Sequence, residues 1–312
     1  MSAQAPSESS PPWIEVREYR HPAGWTGLSE SAGREYCRQI EQGGILYFSD
    51  VPDLLPQADM DFLRGQRRGD SRLHKNVSYR PEADVLRGAE GDAEVRARTH
   101  EVLRGYSQRV TRFAASVLTP YAGQWKLDYA SFRPLEEEGR NLPLHKRNDL
   151  MHVDAFPSRP THGARILRVF TNISTKPRVW LAGERFPQLA PRYAEAAGLG
   201  AIAGSGSALD TARRALHAVG LPVPDRSAYD RFMLHFHDWL KENADFQQNA
   251  PRQQVSFPPL STWMVMTDTV PHAVLSGQFA LEQTFIVPVE ALVDPESAPL
   301  RVLEKIAGQP LA

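Results

Sequence analysis

The chain predicts an α+β protein, mainly β with helices appended. Two groups of short runs rich in branched and aromatic residues carry this reading: 128–134, 165–173 and 178–181, then 263–270, 272–275 and 280–289. Between the groups, 187–247 is Ala-rich and carries long stretches of helical spacing. Short strands bounded by turn residues on both sides of a helical insert indicate an all-β core with helices added to it. The content, 41% hydrophobic and 23% charged, is that of an ordinary globular protein.

Taken in order, residues 1–12 are rich in Ser, Pro and Ala and predict a disordered tail, with structure starting near Trp13. Residues 13–312 are expected to form one domain, with the helical insert at about 187–247. GGILYFSDVP (43–52) has an apolar centre between Gly and Pro punctuation and predicts a short strand. QADMDFLRGQRR (57–68) begins as a helix and turns basic, and HKNVSYRP (74–81) is a strand or loop. Helical spacing over 82–119 predicts one or two helices that stop near Pro120. DYASFRP (128–134) alternates, and MHVDAF (151–156) is a short apolar segment interrupted by polar groups. RILRVFTNI (165–173) is a strong strand signal, followed by RVWL (178–181). DTARRALHAVG and AYDRFMLHFHDWLKENADF are the helical pieces of the insert, and WMVMTDTV, HAVL and ALEQTFIVPV complete the strands.

Several function classes fall away. With 36 Lys+Arg against 37 Asp+Glu the formal net charge is −1, which argues against a generally basic nucleic-acid binder. The single cysteine, Cys37, allows no internal disulfide and no CxxC zinc site, and suits a reducing compartment. No apolar run is long enough for a transmembrane helix, and the N-terminus has no basic segment followed by an apolar one. A cytoplasmic protein is expected, one still able to touch a membrane peripherally. Neither a P-loop nor a GxGxxG in strand–helix context is present; Gly204 and Gly206 lie in a small polar loop.

The chemistry concentrates in His152-Val153-Asp154 and a distant His272. On an extended chain, residues i and i+2 share a side, so His152 and Asp154 converge while Val153 points away. On a helix the two would diverge by about 200°. His272 follows the 263–270 strand and supplies a third corner. Two imidazoles and one carboxylate leave half of an octahedral sphere open, the facial triad of non-haem Fe(II) oxygenases. A hydrogen-bonded structural role is the plain alternative for either histidine. By the same geometry His235 and His237, in the helical insert, diverge and are expected to be packing or surface residues rather than ligands.

Such oxygenases use O2 together with 2-oxoglutarate, whose far carboxylate needs a cation. Arg suits it because the planar fork matches a carboxylate. Many place that Arg some ten residues after the distal histidine, where this chain has Glu282. The candidates are therefore Arg168 on the strand after the motif and Arg133 on the strand before it. Thr284, on the same face as Glu282, is a donor. Arg165, facing the other side of the same strand, is the weaker candidate there, because a surface or rim ion pair explains it more readily.

The stretch LPLHKRNDLMHVDAFPSRPTHGARILRVFTNI (142–173), with HKNVSYRP (74–81), RVW (178–180) and QFALEQTFIVP (278–288), resembles the Kdo hydroxylase family of Fe(II)/2-oxoglutarate dioxygenases. The resemblance runs from about Trp13 to Ala291. It implies a double-stranded β-helix, or jelly-roll, core. It implies His152, Asp154 and His272 as iron ligands, and for 2-oxoglutarate it supports Arg168, with Arg133 and Thr284 behind it. It also implies hydroxylation of 3-deoxy-D-manno-octulosonic acid (Kdo) at C3, giving Ko, in the Kdo–lipid A core of lipopolysaccharide. That substrate is anionic, and Lys146, Arg147 and Arg159 flank the ligands as candidates to meet it. The basic run 64–75 is more simply a solvated surface. Competing readings are an oxygenase of the same fold with another substrate, a zinc hydrolase on the same ligands, and a non-redox jelly-roll binding protein.

Overall fold

The computed structural model describes residues 13–17, 28–51, 53–66, 76–204 and 225–312. The 1–12 tail, Arg67 and Arg68 of the basic run, and the 210–220 helical piece lie outside the described residues, as does Gly206.

Eleven strands are described: β1 (Ile14–Glu15), β2 (Leu46–Phe48), β3 (Val77–Arg80), β4 (Val85–Arg87), β5 (Lys126–Arg133), β6 (Arg165–Asn172), β7 (Arg178–Gly183), β8 (Arg252–Phe257), β9 (Thr262–Met266), β10 (His272–Ser276) and β11 (Ala280–Val287). Eight form one sheet in the order β1-β2-β9-β6-β11-β5-β3-β4, and three form a second in the order β10-β7-β8. The described helices are α1 (Glu30–Glu41), α2 (Gln57–Arg64), α3 (Ala93–Val117), α4 (Phe186–Tyr193), α5 (Leu199–Gly204), α6 (Ala228–Glu242), α7 (Ala244–Asn249) and α8 (Pro299–Ala307). The result is a mixed α+β fold built on a large sheet. No helix among the described residues is long and apolar enough to cross a membrane.

The large sheet is buried on both faces, and strand alternation sorts its residues between them. Leu167, Val169, Met264, Met266, Leu281 and Phe285 pack in one cluster with buried residues of α1 and α3. The α3 helix is fitted for this. Asp92 caps its N-terminus by accepting from the Val95 amide. Val102, Tyr106, Val110, Phe113 and Val117 then recur at 3–4-residue spacing on its buried side. Two buried hydrogen bonds lock helix to sheet, Tyr106–Thr171 at 3.3 Å and Ser107 donating to Gln283 at 2.7 Å.

The opposite face of the large sheet meets the small one. Phe170, Trp263 and Val265 interleave with Trp180, Val255 and Phe257. The rings stack tightly: Phe257 and Trp263 lie 3.9 Å apart and nearly parallel. A third cluster packs α4, α6 and α8 around Met151, Val153 and Ala273, beside the segment that carries the histidines. In α6, Ser227 and Asp230 form a reciprocal capping box.

The sequence expectations need four corrections. Residues 82–92 are not helical: β4 occupies part of them and α3 starts only at Ala93. The 263–270 run is a strand only to Met266, then turns. Residues 151–156 form no full strand, but His152 makes an isolated bridge to His272. Arg165 is no surface residue: it is fully buried against Asp268, 2.8 Å away.

Candidate active site

His152 and His272 are paired across the bridge by reciprocal backbone bonds, 3.1 and 2.9 Å long. Directly opposed residues put their side chains on one side, so residues far apart in sequence present their rings together. The ring centroids are 4.8 Å apart. Asp154 follows at i+2, its amide donating to the Thr267 carbonyl at 2.9 Å. Its Oδ1 lies 3.7 Å from His152 Nε2. Val153 points away into the helical cluster, as alternation requires. The structure therefore brings His152, Asp154 and His272 to one buried place.

Their protonation suits metal binding. His152 Nδ1 lies 2.7 Å from the Leu150 carbonyl and His272 Nδ1 lies 2.9 Å from that of Val270. A carbonyl only accepts, so each Nδ1–H donates and each Nε2 keeps its lone pair. Burial lowers both imidazole pKa values, that of His152 further because His272 and His237 stand beside it. Burial alone would push the Asp154 carboxyl up, but the Arg168 guanidinium beside it holds it well below the usual carboxylate range. The site thus offers two neutral imidazoles and one carboxylate.

A third histidine joins them. His237, read from sequence as a packing or surface residue, turns from α6 toward His152, with ring centroids 4.7 Å apart. Its Nδ1 sits 2.7 Å from the Val153 carbonyl. Ligand atoms of His152, Asp154 and His237 all lie within 4.8 Å of one another. His235 does diverge from it. The signal for His237 was the stripe Met233–His237–Lys241 at i, i+4, whose buried end members place the middle one inward.

A dense charge cluster lies beside these groups on the same face of the large sheet. Arg168 Nε is 3.2 Å from Asp154 and its Nη1 is 3.1 Å from Glu282. Arg133 reaches the same Glu282, with contacts at 2.8 and 2.5 Å. Thr284 pairs with Arg168 across the strands, and its hydroxyl donates to Glu282 at 3.3 Å. Arg133, Arg168 and Thr284, the three sequence candidates for 2-oxoglutarate, thus converge on the residue that replaces the usual distal arginine. Arg178, which sequence reasoning missed, enters from β7. It donates to the Gly277 carbonyl at 2.9 Å and lies 3.7 Å from Glu137. Burial, then Arg133, lowers its pKa to about 10. Gly277 has φ +124, and a Cβ there would sit 2.8 Å from Arg178 Cγ, so this turn needs glycine. Two positions on, Trp180 stacks on the His272 ring at 5.2 Å.

The substrate candidates differ. Lys146 is exposed in the turn before the motif. Arg147 is engaged with Asp149 through two contacts, at 3.0 and 2.5 Å. Arg159 packs over the rings of Tyr129 and Phe156 and pairs with Asp128 at 3.2 Å.

The donor set fits a divalent metal with an anionic chelator. Asp154 Oδ2, Arg168 Nε, Arg178 Nε and Trp180 Nε1 are buried without a hydrogen-bond partner. Asp154 and Arg168 are within ion-pair distance but poorly aligned, which leaves both polar atoms available.

This geometry meets a match along most of the chain. The sequence model for 3-deoxy-D-manno-oct-2-ulosonic acid (Kdo) hydroxylase matches residues 25–310. The chain belongs to the Kdo hydroxylase family. Crystal structures of the Kdo hydroxylase KdoO, a non-heme Fe(II) alphaketoglutarate dependent dioxygenase, superpose closely. The form with alphaketoglutarate and Fe(III) is 34% identical over 96% of this chain and 97% of that one, with a TM-score of 0.82. The cobalt(II) form is 35% identical at the same coverage and TM-score. The form with succinate and Fe(III) is 34% identical over 96% and 97%, with a TM-score of 0.81. No curated protein sequence matches significantly. Kdo hydroxylase membership accounts for the two-sheet architecture and for the chemistry the buried residues are suited to.

Proposed function

We propose that this chain hydroxylates Kdo at C3, giving Ko, in the Kdo–lipid A core of lipopolysaccharide, with Fe(II), 2-oxoglutarate and O2. The observation that carries the reading is the buried His152/Asp154/His272 constellation, in a fold 34% identical along 96% of its length to an iron-dependent Kdo hydroxylase. The two facing sheets and the ligands' placement between them support a double-stranded β-helix core. A cytoplasmic location, peripheral to the membrane carrying the lipid, follows from the substrate proposed.

Iron with 2-oxoglutarate supplies the oxidising power that inserts one atom of O2 into a C–H bond, releasing succinate and CO2. This chain's residues do the rest. His152 and His272 present Nε2 lone pairs fixed by their Nδ1–H donations. Asp154 contributes an anionic oxygen held ionised beside Arg168. Arg168 and Arg133, with Thr284 as donor, receive the far carboxylate of 2-oxoglutarate. That anion competes with Glu282 for the two guanidiniums, and Arg178 adds a third buried cation. Trp180, packed edge-on against Phe170, stacks on the His272 ring and lines the ligand cluster with aromatic surface, where charges act more strongly than in water. Lys146, Arg147 and Arg159 are the candidates to meet the anionic groups of the substrate. No side chain need act as a general base, since a hydrogen atom rather than a proton leaves the sugar.

The test is anaerobic titration of the protein with Fe(II) and 2-oxoglutarate, followed by O2. The expected result is their charge-transfer band, then succinate in step with a one-oxygen mass gain on Kdo-bearing lipid A. Succinate without a change in the lipid would keep the oxygenase and discard the sugar.

A further inference from the structure

A cavity of about 330 Å³ opens between the start of β5 and the 156–161 loop, lined among others by Arg80, Lys126, Asp128, Tyr129 and Arg159. This is within the size range of small-ligand sites. A row of alternating guanidiniums and rings runs from it toward the ligand cluster. Arg168, beside Asp154, lies 5.7 Å from the Phe156 ring. Arg159 lies 4.4 Å from that ring and 4.0 Å from the Tyr129 ring. Arg80 ends the row, 4.7 Å from Tyr129. Each separation is within cation–π range.

The charges along the row are not equally compensated. Arg168 faces Asp154 and Glu282, and Arg159 faces Asp128. Lys126 reaches Glu82 at 3.7 Å, both of them exposed. Arg80 has no ion pair among the described residues, and its buried Nε lacks a hydrogen-bond partner. A guanidinium whose face is held on a tyrosine ring keeps its fork edge for a planar or tetrahedral oxyanion. The aromatic platform beside it suits the apolar face of a sugar.

We infer that this cavity is an anion subsite. It takes a carboxylate or phosphate of the substrate that lies outside the sugar being oxidised, with Arg80 as its principal contact. The inference rests on the reading that the substrate is a Kdo-bearing anionic glycolipid. It explains why a cation without a carboxylate sits at the end of a row that starts at the iron ligands.

The experiment measures KM and kcat of the full-length, iron-loaded enzyme on three substrates: lipid A carrying two Kdo sugars, its dephosphorylated form, and lipid A carrying one Kdo. Arg80→Met keeps the apolar stem on Tyr129 and should raise KM about tenfold on the first substrate, the loss of one charge-assisted contact, with kcat nearly unchanged. Arg80→Lys should recover part of this. Wild type should lose a similar factor when the contacted anion is removed, and Arg80→Met should not respond to that removal. Sensitivity to dephosphorylation identifies a phosphate, and sensitivity to loss of the second sugar identifies a carboxylate. A folded Arg80→Met with wild-type KM, or one as sensitive to anion removal as wild type, overturns the subsite. If wild type oxidises none of these lipids, the functional reading falls and the cavity is judged by calorimetric binding of inorganic phosphate and acetate. Binding weakened by Arg80→Met upholds an anion site, and binding equal in both proteins, or absent from wild type, overturns it.

Discussion

The two faces of the large sheet are made by the same strands and do opposite work. Toward α1 and α3, β6 and β11 present Leu167, Val169, Leu281 and Phe285, which pack by shape alone. Toward the small sheet the alternate residues are Arg168, Phe170, Glu282 and Thr284, and most of these are charged or polar although buried. A buried charge is costly unless it is paired, so one face stabilises the fold and the other draws on that stability to hold reactive groups. Arg165 marks the contrast within a single strand. It is fully buried against Asp268 with Thr269 as a further partner, its Nη1 left without a hydrogen bond. Arg168, three residues on, stands instead between two carboxylates of the site, Asp154 and Glu282.

The strongest way to break this division is at the ligands. His152→Ala and His272→Ala should each reduce turnover to background and abolish stoichiometric iron, measured by metal analysis, while the protein stays folded. His237→Ala should retain the iron; its loss there would exchange His237 for His272 in the ligand set. Next in size, Asp268→Ala strands the Arg165 charge and should cost about 3–5 kcal/mol in denaturant unfolding. A small cost would mean that water reaches the pair. Smaller again, Arg168→Ala should raise the KM for 2-oxoglutarate about 10–100-fold. An unchanged requirement would transfer the role to Arg133 or Arg178. The smallest effect belongs to the apolar face. Cys37 is fully buried, and burial, with Glu41 adding, pushes its thiol pKa far up. Iodoacetamide should leave the native protein unmodified at pH 8 and add once after denaturation. Rapid native labelling would show that the α1 side opens readily.

What the sequence disclosed follows the same division. The core strands were legible because branched and aromatic residues dominate each run even though polar residues interrupt one face. The His152–Asp154 pair was legible because alternation alone puts i and i+2 together. The β8 strand was not read, since Arg252, Gln253 and Gln254 are exposed and only Val255 and Phe257 are buried. Gly33 and several charged residues disguised α1, though Tyr36, Cys37 and Ile40 recur on its buried side. The 82–92 segment carried helical composition but is tied down by β3–β4 pairing, a tertiary choice that local propensity does not see. Arg178 and His237 were missed for one reason: which side of an element faces the site depends on what packs across from it.

The bridge between residues 152 and 272 sets the spacing of two imidazoles through main-chain bonds rather than through the segment that joins them. Loops between those positions that belong to neither sheet and touch none of the site residues could therefore change in length without altering that spacing. The same arrangement makes the ion's seat a long-range closure, so it should be among the last parts of the molecule to assemble as the chain folds.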